Sequence, residues 1–193
     1  MKKLQINLRK TLMMSVLLSP LFIMHSCEKE VAVENEEELI TTVTYTLRPM
    51  NISIPTVVCT YKDLDGDGGN APTFAISGPL LPNTTYEGTI TLLNESESPV
   101  EDITLEVEEE SADHQFFYAT SSAITITYND ADTNGNPIGL KTTVKTGAAA
   151  SNQSIKVTLR HEPNKSASGV KEGNIANAGG ETDIEVTYNL NVQ

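Results

Sequence analysis

The sequence predicts an all-β fold, an antiparallel, immunoglobulin-like β-sandwich of about ten strands over residues 39–193, with a barrel as the alternative closure. Three observations predict it. Apolar residues alternate at period two with Thr, Glu, Lys and Asn, as a sheet with one dry face and one wet face requires. Clusters of Gly, Pro, Asn and Asp punctuate these segments at short intervals. No segment of this stretch shows a convincing helical period.

In chain order the alternation runs through Val43, Tyr45 and Leu47, then Val57, Cys59 and Tyr61, then Ile103, Leu105 and Val107. It resumes at Ile124, Ile126 and Tyr128, at Ile155, Val157 and Leu159, and from Ile184 through Val186, Tyr188 and Leu190 to Val192. The abundant threonines between them favour extended backbone. The acidic run from Glu106 to Glu110 reads as a solvated strand end. Cys59 sits on an apolar strand face, which makes it a buried structural thiol rather than a nucleophile. Residues 169–180, rich in Gly, Asn and Ala, read as a long flexible loop.

A weak internal repeat runs through these strands. The string from Thr60 to Gly68 aligns with that from Thr127 to Gly135, and the string from Thr89 to Glu95 with that from Lys156 to Glu162, both at an offset of 67 residues. A duplicated half-sandwich and chance similarity between threonine-rich strands both account for it.

Residues 1–26 carry Lys2, Lys3, Arg9 and Lys10 ahead of an apolar stretch too short for a stop-transfer helix, and so predict a signal peptide. Ser26 marks the cleavage point and Cys27 the lipidated mature N-terminus, as in a bacterial lipoprotein signal. Several acyl chains, at about 0.8 kcal/mol per buried methylene, hold a soluble domain to a bilayer firmly. The acidic residues 27–38 then form a tether. The predicted location is the cell envelope, lipid-anchored to the outer membrane and facing either the periplasm or the surface.

The chain carries a formal charge of −13, and loss of residues 1–26 removes four basic groups and no acidic one. Such a field repels nucleic acid and favours cations or plain solubility. The partners expected are therefore the membrane, through the lipid, and an unidentified protein or small ligand.

Two loops suggest a cation site. Asp63, Asp65, Asp67 and Gly68 match the opening of a calcium loop, in which alternate carboxylates converge on one hard ion, and Asp130, Asp132, Asn134 and Gly135 repeat the pattern. The twelfth positions hold Phe74 and Lys141 in place of a bidentate acid, which excludes an EF-hand. Calcium is the one cofactor the sequence suggests, with plain Asx turns as the alternative. His114, His161 and Glu162 offer mixed nitrogen and oxygen ligands for a transition metal, or else hydrogen-bonded histidines at the core edge. No nucleophile elbow, paired-histidine helix or Cys and His arrangement supports catalysis, so the chain is read as a non-enzyme.

Several strings together resemble a family of small lipoproteins from Flavobacteriia and related Bacteroidota: Asp63 to Gly68 with Asn70, Ala71 and Pro72; Asn83 to Tyr86; Glu108 to Glu110 leading to His114 to Tyr118; Asp132 to Pro137; Arg160 to Lys165; and Ala178 to Ile184. Members often carry the label type 1 periplasmic binding fold superfamily protein. That label implies two α/β lobes, an expectation at odds with the alternating strands of this chain. The resemblance implies an envelope lipoprotein and assigns no residue a role. The expected function is an anchored, non-catalytic binding or envelope module, with capture of a metal ion or nutrient for an outer-membrane transporter as the alternative.

Overall fold

The computed structural model describes residues 39–66 and 69–193; the predicted signal peptide, Cys27, the tether to residue 38 and Asp67 lie outside the described residues. Nine strands are described: β1 (Thr42–Pro49), β2 (Val57–Lys62), β3 (Thr73–Ile76), β4 (Thr85–Leu93), β5 (His114–Thr120), β6 (Ile124–Tyr128), β7 (Lys141–Thr146), β8 (Ala150–His161) and β9 (Glu181–Val192). They form a six-stranded sheet in the order β3-β2-β1-β4-β7-β6 and a three-stranded sheet in the order β5-β8-β9. All strand pairings are antiparallel. Strands β1 to β4 make a Greek key, with β4 returning to lie beside β1.

The predicted alternation sets the core. Val43, Tyr45 and Leu47 from β1 and Leu92 from β4 meet Phe116, Ile155, Val157, Leu159 and Tyr188 of the smaller sheet in one buried cluster, which makes the two sheets a sandwich. Tyrosines cross-link it: the buried Tyr188 donates to the Val43 carbonyl at 2.8 Å, and the half-buried Tyr128 and Tyr118 donate to the carbonyls of Phe116 at 2.8 Å and Gly139 at 2.5 Å. At Gly88 a Cβ would fall 2.6 Å from the Tyr45 hydroxyl, so β4 needs glycine where that ring crosses it.

Two expectations are corrected. Residues Ile103–Glu109 form a helix, α1, instead of a strand. The Asp102 carboxylate caps it by accepting from the Thr104 N–H at 3.1 Å, and Thr104 Oγ1 exchanges hydrogen bonds with the Leu92 backbone. Ile103 and Val107 are buried four residues apart while Leu105 is 58 % exposed, so the apparent alternation was one helical face and a solvated residue between. Residues 169–180, expected to be loose, instead pack with the segment from residue 163 on the outer face of the smaller sheet. There Val170 and Ala178 close over Phe117, a 3₁₀ turn spans Ile175–Asn177, and Gln115 Nε2 donates to the Val170 carbonyl at 2.9 Å. This cover explains why His114, Gln115, Phe116 and Phe117 are buried on both faces of β5.

The aligned repeat strings fall on β2 with its following loop and β6 with its following loop, and on β4 and β8. Their settings differ: β2 has two strand neighbours and β6 is an edge.

Register gives the sandwich two distinct ends. Thr42 lies beside Lys62 and Leu93, so the start of β1, the loop after β2 and the exit of β4 into α1 share one end. The start of β5, the end of β8 and the start of β9 meet through His114, His161 and Glu181. At the other end, Leu80 bridges Val192.

Candidate functional site: the acidic end

The candidate residues gather at the end where β1 begins, and each carboxylate is held by its own loop. In the first loop Asp63 Oδ1 accepts the Gly66 N–H at 3.1 Å, and Asp65 Oδ2 accepts both the N–H and the side-chain amide of Asn70 at 2.9 and 2.7 Å. These Asn70 bonds hold the Asp65 carboxyl below its usual range. Asp63, Asp65 and Asn70 line a cleft of about 350 Å³ with Lys62 at its rim. Lys62 pairs with Glu95 and lowers that carboxyl in turn.

The second loop is closed by a cation from the chain itself. Asp132 Oδ1 accepts the N–H groups of Asn134 and Asn136 at 2.8 and 2.9 Å, and Oδ2 accepts Lys165 Nζ at 3.1 Å. The Lys165 and Asp132 side chains are 4 % and 1 % exposed. The ammonium also donates to the carbonyls of Ser111 and Pro137 at 2.6 and 3.2 Å, so all three of its protons are used. Burial pulls the Lys165 ammonium below its usual value, and Asp132 offsets part of this. Burial acts upward on Asp132, but its hydrogen bonds outweigh it and leave the carboxyl below its usual range. Asp130 accepts the backbone N–H groups of Gly139 and Lys141, each at 2.7 Å. The side chain of the exposed Asn134 adds no hydrogen bond among those described. The loop thus has the charge logic of a calcium site with an ammonium as its cation.

His114 and His161 are cross-strand partners, and their rings stack with centroids 4.8 Å apart at 17°. His114 Nδ1 lies 3.2 Å from the Glu110 carbonyl and Nε2 lies 3.9 Å from Asp183 Oδ2. Glu162, the acid expected to join them, is exposed and leaves the strand with φ of 49°. Asp183 takes its place. The pairing of β8 with β9 steps from Leu159 opposite Ile184 to Arg160 opposite Thr182, so Asp183 is the extra residue of a bulge and turns inward. Alternation counted back from Ile184 puts it outside, which is why sequence reading missed it. Gly180 backs this corner at φ of 67°, where a Cβ would fall 2.1 Å from the His161 carbonyl. Among the described residues no three His, Cys, Asp or Glu side chains stand together as a metal-holding group.

Burial lowers the His114 imidazole from its ordinary value of 6.5, with the Glu110 carbonyl opposing and His161 reinforcing the shift. The unfolded chain therefore binds more protons than the folded one as pH falls below about 6.5. Stability is full above that value and declines through the acidic range toward the folded pKa. Thermal melts between pH 5 and 7.5 are expected to show this loss, and His114→Gln is expected to flatten it. A wild-type slope retained in the variant would assign the effect elsewhere.

Cys59 is fully buried, and burial pushes its thiol up to about 12, which suits a structural residue. No helix among the described residues is long and apolar enough to cross a membrane. The sequence matches no family profile, and no curated protein or solved structure matches it.

Proposed function

We propose that this chain is an outer-membrane lipoprotein, held through Cys27, whose β-sandwich serves as a non-catalytic binding or envelope module with a calcium-stabilised first loop. One observation carries the reading. The described chain enters the sandwich beside the loop of Asp63, Asp65 and Asn70, so the predicted tether joins the domain at its acidic end. The resemblance to Bacteroidota lipoproteins supports the same placement.

A second reading, capture of a metal ion or nutrient for an outer-membrane transporter, rests on the acidic loops and on the stacked His114 and His161 at this same end. Calorimetric titration of residues 28–193 with calcium and separately with zinc separates the two. The first reading expects saturable calcium heat with a dissociation constant on the order of 10⁻⁴ to 10⁻³ M, abolished by Asp65→Asn. Zinc heat that depends on His161 would favour capture. Silence with both ions would reduce the loops to turns.

A further inference from the structure

Charge is distributed unevenly along the sandwich. The acidic end carries Asp63, Asp65, Glu95, Glu101, Glu108 and Asp130 among others, whereas the opposite end is built from residues 49–57, 77–86, 119–124 and 145–155, none of them Asp or Glu and only Lys145, which pairs with Thr85, charged. Those segments form one continuous rim. Met50 N–H donates to Thr85, Asn83 N–H to Gly147, Gly147 N–H to Ala123, and Ser121 N–H to Ser154. In a chain of net charge −13 this is the face on which another copy meets least repulsion.

The same rim is apolar and shaped. Ile52 is 97 % exposed and Met50 73 %. Ile52 is held out by a turn in which Asn51 accepts the Ile54 N–H through its carbonyl at 3.0 Å and the Ser53 N–H through its side chain at 3.1 Å. Beside it lies a cleft of about 300 Å³ lined by Pro55, Pro79, Leu81 and Tyr86. Its wall is fixed by the Leu81 N–H donating to the Tyr86 hydroxyl at 2.7 Å. A rigid apolar knob next to an apolar cleft is self-complementary under a two-fold axis.

We infer that the acid-free end is a homophilic contact, in which Ile52 of each copy enters the Pro55, Pro79 and Leu81 cleft of a second copy. The two chains then enter their sandwiches at opposite extremes of the pair.

The test is sedimentation equilibrium of residues 28–193, a stretch containing every described strand and both core clusters, over a concentration series. A reversible dimer is expected, with Ile52→Glu raising its dissociation constant roughly tenfold or more. A wild type that stays monomeric to about 1 mM, or a variant that dimerises equally well, would overturn the inference. So would monomers that adsorb through Ile52 to bare phosphatidylethanolamine and phosphatidylglycerol vesicles, which would assign the rim to lipid. Fractionation of the full chain with Cys27→Ser is scored separately: membrane retention of that variant would refute the anchor and leave the dimer standing.

Discussion

Lys165→Met is expected to cost the domain about 3–5 kcal/mol, because it leaves the Asp132 carboxylate buried without its counter-charge. Asp132 is 1 % exposed, and water cannot replace the ammonium without opening the turn that Asn134 and Asn136 close around it. For a domain of this size the loss corresponds to a fall in Tm of about 10 °C. The variant Lys165→Met with Asp132→Asn separates charge from hydrogen bonding. An asparagine oxygen still accepts the two N–H groups and needs no cation, so the double variant is expected to recover much of the loss. A double variant as unstable as the single one would mean that the carbonyls of Ser111 and Pro137, orphaned by the missing ammonium, carry the cost. The depressed Asp132 pKa fixes the sign with pH. Its stabilisation is present above the ordinary value of 3.8 and is lost as pH falls through the lower folded value.

Lys165 also marks the limit of what the residues disclosed in advance. The all-β class, the antiparallel pairing and the core residues on β1, β8 and β9 were legible because burial on one face writes itself as period-two alternation. Asp132 was read as a candidate calcium ligand from the spacing of its loop. Its cation lies 33 residues away, in a segment with no periodicity, and only tertiary folding brings the two together. Asp183 was hidden by a bulge, which breaks the alternation used to find it. The helix at Ile103–Glu109 was hidden by its shortness, since Ile103 and Val107 satisfy both a two-residue and a helical period. Asp102 as an N-cap and four acids in succession from Glu106 past Val107 were the available signs. The acid-free end was present in the sequence as loops without Asp or Glu, but their union into one rim needed the strand register.

Tyr188→Ala is expected to be as damaging as loss of Lys165, and its mechanism is different. Tyr188 is fully buried on β9, the edge of a sheet only three strands wide, and its ring meets Phe74 of the opposite sheet edge at 6.5 Å, nearly perpendicular. Its hydroxyl crosses the sandwich to the Val43 carbonyl. Truncation leaves a cavity and removes the cross-sheet bond, for a cost of about 3–5 kcal/mol. Tyr188→Phe keeps the ring and loses the hydroxyl, for about 1 kcal/mol. Denaturant melts of the two variants therefore divide packing from hydrogen bonding. Hydrogen exchange adds the location: the alanine variant is expected to release amides of β9 first, because β9 has one strand partner and loses its main anchor to the larger sheet. Equal losses from the two variants would instead place the stabilisation in the hydroxyl, and the sandwich would be held at this edge by a polar pin rather than by its core.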